Sequence, residues 1–379
     1  MFDNEITITN ENLVRYELKD IENLRVYGRY SGDVYPLNLF WTASGIEFRV
    51  KAGEVWIEVE SSYNIYEPWV STTVDGAFNS RTMLPKGRYF IPVIRNMTKE
   101  NEKTIRLFKD VQAMSSDDEH GLKIWSILTD GEFVPLPEKK LKLEFIGDSI
   151  TSGEGVIGAH DEWDWISMFF DSVHEYATIT ADMLDADYHI VSQSGWGVLT
   201  GWDNNPDCSI PDHYSKLCGV VWGDNNHKMG SDKPYDFSKW SADVIVVNLG
   251  TNDGGAFNSP EYVDPVSGRI TKQRLNEDGT FVEEDVRKFI DKCKLFLAEL
   301  RYHNPNSKIL WAYGMLGTFM EEPIVKAIDE YKAASEDYEV YYVRLPETND
   351  ETVGSRAHPG PKNHEEAAKV LVKKIKELV

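Results

Sequence analysis

The sequence predicts an α/β protein in two parts: an N-terminal β-sandwich of the jelly-roll kind over residues 1–137, then an α/β/α domain with a parallel sheet over 138–379. Three observations carry this. The first 135 or so residues alternate apolar and polar positions in short runs. The later runs are continuously apolar and interleaved with helical periodicity. Between them lies Pro135-Leu136-Pro137-Glu138-Lys139-Lys140, two prolines among charges, which reads as a linker or extended hinge.

In the first part, Ile46, Phe48 and Val50, then Val55, Ile57 and Val59, point one way, and Ala52-Gly53 supplies a turn between them. Further strand-like runs fall at Arg88–Ile94, Thr104–Val111 and Leu122–Leu128, at the regular spacing of a sandwich. In the second part the strands read Leu141–Ile146, Tyr188–Ser192, Val244–Leu249, Ile309–Tyr313 and Val340–Leu345. A helix from about Glu283 to Tyr302 repeats apolar residues every three or four positions, and Ala367, Ala368, Leu371, Ile375 and Leu378 mark a C-terminal helix. Two loops rich in Asn, Asp, Gly and Pro, about 201–240 and 254–280, follow strands where an open parallel sheet binds ligands.

Composition narrows the function. The 379 residues exceed the roughly 150 of one domain, and 41% hydrophobic content with 11 Trp, 18 Tyr and 16 Phe belongs to a folded globular chain. A formal charge of −23 repels phosphate, so neither nucleic acid nor an anionic membrane surface is an expected partner. An acidic start and no run of 18 apolar residues predict a cytoplasmic protein. Cys208, Cys218 and Cys293 lack paired spacing and predict free thiols, and the nine histidines show no metal-ligand spacing. Tyr63, Tyr66 and Trp69 either fill the sandwich or reach a cleft.

The chemistry sits in four blocks. The first strand of the second part ends in Gly147-Asp148-Ser149-Ile150, a turn from which a serine hydroxyl can project. Ser192-Gln193-Ser194-Gly195-Trp196-Gly197 follows the second strand and Gly250-Thr251-Asn252-Asp253 the third; Ala357-His358-Pro359 precedes the last helix. Singly these are an N-cap, a turn glycine, an Asx-turn residue and a surface histidine. All four follow a strand or open a helix at what is expected to be the same, C-terminal edge of the sheet, an arrangement that predicts convergence on one pocket.

That ordered set resembles the SGNH (GDSL) hydrolases over about the last 240 residues. The resemblance implies a flavodoxin-like α/β/α domain with Ser149 as nucleophile and His358 as general base. It implies an oxyanion hole from the Ser149 and Gly195 backbone N–H groups and the Asn252 amide, with Asp148 and Asp253 as loop-fixing acceptors. Converging neutral donors are what an acyl-transfer oxyanion requires. The family pattern places an Asp two or three residues before the histidine, where this chain has Arg356 and Ser355. The expectation is therefore a Ser–His dyad held by a backbone carbonyl, with Asp350 or Glu351 as substitutes and Arg356 turned to solvent.

A sandwich before such a domain resembles carbohydrate esterase family 2, which implies an O-acetylated xylo-, manno- or gluco-saccharide substrate with no metal and no cofactor. Trp163, Trp165, Trp196, Trp202 and Trp222 are candidates for a sugar platform. Gly153-Glu154-Gly155-Val156-Ile157-Gly158 matches G-x-G-x-x-G, but it starts several residues after the strand and Ser149 intervenes, so it is read as no dinucleotide site. The rival readings are an esterase or thioesterase for longer chains, a transesterase, and a non-catalytic carbohydrate-binding protein. Oligomeric state is left open.

Overall fold

A computed structural model describes residues 8–379, so the opening residues 1–7 lie outside it. Among the described residues eleven strands precede residue 135: β1 (Val14–Glu17), β2 (Arg25–Tyr27), β3 (Leu37–Leu39), β4 (Gly45–Lys51), β5 (Val55–Ser62), β6 (Trp69–Val74), β7 (Ala77–Met83), β8 (Gly87–Ile94), β9 (Glu102–Lys109), β10 (Gly121–Thr129) and β11 (Glu132–Val134). They form two antiparallel sheets. One runs β1-β10-β5-β8 with β3 also on β10; the other runs β11-β4-β9-β6-β7 with β2 on β4.

The Ala52-Gly53 turn passes the chain from one sheet to the other, because β4 and β5 pair with different partners. The two alternating sets therefore meet face to face: Ile46, Phe48 and Val50 of one sheet and Val55, Ile57 and Val59 of the other are all buried in one core. The sandwich class follows from that alternation.

The second part holds β12 (Leu141–Gly147), α1 (Ser149–Ser152), α2 (Tyr176–Met183), β13 (Ala186–Ser192), α3 (Asp224–Met229), β14 (Val244–Asn248), α4 (Thr251–Ala256), β15 (Tyr262–Val263), β16 (Ile270–Thr271), α5 (Glu283–His303), β17 (Lys308–Tyr313), α6 (Glu321–Ser335), β18 (Val340–Arg344) and α7 (Pro361–Leu378). Five strands pair in parallel in the order β13-β12-β14-β17-β18. In the sheet's own sequence that is 2-1-3-4-5, the flavodoxin-like order, whose strand direction of growth reverses between β12 and β14. Both faces are covered, α5 and α6 packing with one core cluster and α2 and α7 with the other, which is why the strands read as continuously apolar.

The Pro135–Lys140 segment joins the two parts without acting as a hinge, because they share buried structure. Tyr27, Ala43 and Phe108 of the sandwich pack in the same cluster as Leu143, Phe145 and Tyr188 of the parallel sheet. Arg29, fully buried, reaches Glu144 on β12 at 2.9 Å and the carbonyls of Tyr214 and Lys216 at 2.5 and 3.0 Å. Its guanidinium lies 4.5 and 4.4 Å from the ring centroids of Tyr214 and Tyr235. Trp41 donates its indole N–H to the Leu217 carbonyl at 2.9 Å.

The two long loops are chiefly braces. Asn204 donates to the carbonyls of Ala256 and Pro260 at 2.8 and 2.9 Å and accepts from Gln273 N–H at 2.8 Å, tying one loop to the other. Cys208, Cys218 and Cys293 are unpaired.

Candidate active site

At the end of β12 the chain turns directly into α1. Asp148 caps that helix by accepting the Ile150 N–H at 3.0 Å, which leaves Ser149 at its first position. Ser149 Oγ lies 2.9 Å from His358 Nε2, across 209 residues of sequence. His358 Nδ1 in turn lies 2.9 Å from the Arg356 carbonyl oxygen. A carbonyl there accepts the Nδ1 proton and so leaves Nε2 unprotonated toward Ser149. Asp350 and Glu351 are both exposed and Glu351 pairs with Lys362, so the backbone carbonyl occupies the place a carboxylate would take.

That carbonyl points inward because Arg356 and Ala357 both adopt left-handed backbone, φ 55° each, unusual for residues with a side chain. The same twist corrects the expectation for Arg356. Its side chain turns into the site, where Nε donates to Glu154 Oε1 at 2.9 Å and Nη1 to the Trp163 carbonyl at 2.5 Å.

The G-x-G-x-x-G stretch is the seat of this loop. Gly155, at φ +75°, passes so close that a Cβ would stand 2.5 Å from the Ser355 carbonyl oxygen and 2.6 Å from His358 Cβ. Between Gly153 and Gly155, Glu154 is buried, with Oε1 3.8 Å from His358 Nε2. Burial pushes its carboxyl upward, but His358 and the Arg356 guanidinium outweigh that and hold it below the ordinary glutamate value. Sequence reasoning missed Glu154; the signal available was a carboxylate set between two glycines directly behind the serine helix.

The second and third blocks close the opposite wall. Gly195 (φ +79°) and Asn252 line the same cavity as Ser149 and His358, a space of about 510 Å³. Asn252 Nδ2 donates to the Trp196 carbonyl at 2.9 Å and faces Asp148 Oδ2 at 3.3 Å. Asp253 accepts the amides of Val198 and Leu199 at 2.8 and 2.7 Å and of Thr200 at 3.4 Å, fixing the loop beyond Gly195. Burial, opposed by those amides, raises Asp253 to about 6, and burial raises Asp148 to about 7. The sandwich also reaches this wall: Gln112 Oε1 accepts the Ser194 N–H at 2.7 Å.

Of the five tryptophans, Trp165 and Trp202 line the cavity. Trp202 lies over Gly195, where a Cβ would meet its ring at 3.0 Å. Trp165 is propped edge-on by Tyr66 of the sandwich, ring centroids 4.9 Å apart, so Tyr66 reaches the cleft wall through Trp165. The other three are corrections. Trp196 is buried in the core against His213 and presents only its carbonyl to the site. Trp163 lines a neighbouring cavity of about 410 Å³ on the far side of Ala357. Trp222, 55% exposed, stands outside the walls of both cavities.

The chain is similar over nearly its whole length to a solved acetyl xylan esterase from the rumen bacterium Butyrivibrio proteoclasticus, with 43% identity, a TM-score of 0.95 and coverage of 96% of this chain and 98% of that one. A family two carbohydrate esterase from Clostridium thermocellum, solved with cellohexaose, shares the fold at 23% identity and a TM-score of 0.76, over 94% of this chain and 98% of that one. Among curated proteins it is 25% identical over 357 residues to a cellulase/esterase of Acetivibrio thermocellus; that alignment takes in 92% of this chain and only 37% of the longer relative. An acetylxylan esterase / glucomannan deacetylase of Cellvibrio japonicus is 28% identical over 56% of this chain and 55% of its own length. The GDSL-like lipase/acylhydrolase profile matches residues 143–371, more than half of the chain and all four blocks, and so the protein belongs to that family, with a two-domain fold it shares with the acetyl xylan esterase.

Proposed function

We propose that the protein is a serine acetylesterase that removes O-acetyl groups from plant cell-wall oligosaccharides of the xylo, manno or gluco type, through an acetyl-enzyme on Ser149. The observation that carries this reading is the 2.9 Å approach of Ser149 Oγ to His358 Nε2 at the floor of an open cleft walled by Trp165 and Trp202. Relatives that bear the names acetylxylan esterase and glucomannan deacetylase support the substrate class.

His358 Nε2 takes the hydroxyl proton as Oγ bonds to the acetyl carbonyl carbon. The oxyanion is met by the Ser149 and Gly195 N–H groups and by Asn252, whose longer contact, to Asp148 at 3.3 Å, is the one an oxyanion displaces. The imidazolium returns the proton to the sugar oxygen as the ester bond breaks, and water repeats the sequence to release acetate. Aromatic faces suit the C–H face of a sugar ring.

The test is hydrolysis of p-nitrophenyl esters from acetate to octanoate and of acetylated xylo- and manno-oligosaccharides. Acetate release from the oligosaccharides, collapse of rate with chain length and loss of at least about 10³ in kcat on Ser149→Ala are the expected outcome. Preference for octanoate would move the function to longer acyl chains, and a rate indifferent to Ser149 would leave only carbohydrate binding.

A further inference from the structure

We propose that Glu154 supplies the negative charge that steadies the His358 imidazolium, and that Arg356 positions Glu154 to do so. The inference rests on His358 being the base at Ser149, and adds the counter-charge that the sequence lacks before the histidine. On the Nδ1 side the imidazole meets only a neutral carbonyl, that of Arg356. On the Nε2 side a carboxylate oxygen of Glu154 stands 3.8 Å away, 3% of its side chain exposed.

That distance has a chemical consequence. It lies beyond hydrogen-bond range, so Glu154 leaves the Nε2 to Ser149 hydrogen bond intact, yet within the 4–6 Å over which an opposite charge favours a cation. Nε2 gains a proton from Ser149 and gives it to the departing sugar oxygen; Glu154 neither gains nor loses one. Its charge acts only in the interval when the ring is cationic, which is when the barrier is crossed.

The position is built rather than incidental. Glu154 N–H donates to the Ser149 carbonyl at 3.0 Å, locking the carboxylate's own backbone to the nucleophile. Arg356 Nε holds Oε1 at 2.9 Å, and Arg356 is itself anchored by its N–H to the Glu162 carbonyl at 2.8 Å. The groups facing His358 are Ser149, Glu154 and Arg356, together with His364 at the start of α7, which burial holds neutral at about 3. Glu154 is the only anion among them.

Glu154→Gln keeps the shape and an acceptor for Arg356 but removes the charge. With p-nitrophenyl acetate, the plateau kcat is expected to fall about tenfold with KM unchanged, and the acid limb of the rate profile to move about one pH unit lower. Glu154→Asp, which retains the charge, is expected to recover part of kcat. A wild-type plateau and limb in Glu154→Gln would overturn the proposal, as would a loss of kcat with the limb unmoved. A second measurement needs no turnover: the imidazole of His358 is titrated by NMR in Ser149→Ala with and without Glu154→Gln. The midpoint is expected about one pH unit lower without the charge, and an unchanged midpoint overturns the proposal even if the esterase reading stands. Should Glu154→Gln not fold, the same titration of Ser149→Ala with Glu154→Asp, which draws the charge back by one methylene, must still lower the midpoint.

Discussion

At the scale of single residues, the four blocks were legible because each carries a signal that survives in one dimension: a glycine-flanked serine after a strand, an Asn-Asp pair after another, a histidine before a helix. Glu154 and the inward turn of Arg356 were not. Their partnership spans 202 residues, and it depends on two consecutive left-handed residues with side chains, which no propensity marks. Gly155 sits at the junction of these features. Gly155→Ala puts a methyl 2.5 Å from the Ser355 carbonyl and 2.6 Å from His358 Cβ at a positive φ. The His358 loop must shift, and a misplacement of about 1 Å costs on the order of 10²-fold in rate. The variant is expected to lose that much kcat on p-nitrophenyl acetate and about 1–3 kcal/mol of stability by chemical denaturation.

At the scale of elements, hydrophobic periodicity located the five parallel strands to within a residue or two because burial on both faces leaves few polar positions to confuse them. It gave no strand at β1, β2, β3 and β11, which are only three or four residues long, nor at β6 and β7; the residues of β7, Ala77–Met83, are mostly exposed. Loop function was equally hard to read: of the 201–240 loop, only Trp202 lines the cavity. The element that fixes the Gly195 wall is the side chain of Asp253, at the start of α4, through its hold on three amides. Asp253→Asn replaces one acceptor oxygen with a donor facing backbone N–H groups. A buried mismatch of this kind costs about 1–3 kcal/mol, so thermal unfolding is expected earlier and kcat lower, while Ser149 stays reactive toward a small phosphonate probe. Gln112→Ala, which frees the Ser194 N–H from the sandwich side, is expected to lower kcat with a smaller loss of stability, about 1 kcal/mol.

At the scale of the whole molecule, the two-part architecture was visible as a change of period at Pro135, but the sealing of the parts was not, since Arg29 and Glu144 are 115 residues apart and look like surface charges. Arg29→Ala leaves Glu144 buried without its cation, a change that costs about 3–5 kcal/mol. A single calorimetric transition at a lower temperature is expected, and two separate transitions would show that the parts unfold independently. Buried carboxyls set the pH dependence of stability. Burial raises Asp148 to about 7 and Glu175 to about 8, far above their unfolded values. Their folded state binds protons more tightly, so the stability they contribute is complete below about pH 4 and is lost as pH rises through 7 to 8. Lys109, lowered by burial to about 7, works the other way but only as pH climbs from there toward its unfolded value. His120, His189 and His364, all lowered by burial, titrate the opposite way below about pH 6.5, so the carboxyl contribution is read by difference: the melting temperature of Glu175→Gln is expected to rise relative to that of the wild type as pH goes from 5 to 8, by scanning fluorimetry.

The buried Arg29 also bears on how such an enzyme can be rebuilt. A sandwich beside a hydrolase invites modular thinking, in which a gene fusion exchanges residues 1–137 for a module taken from a different protein. Here the exchange would remove the cation under β12, the Gln112 acceptor behind Gly195 and the Tyr66 ring behind Trp165 at one stroke. The recombination unit is the whole chain, and a chimaera has to carry those three residues across its seam.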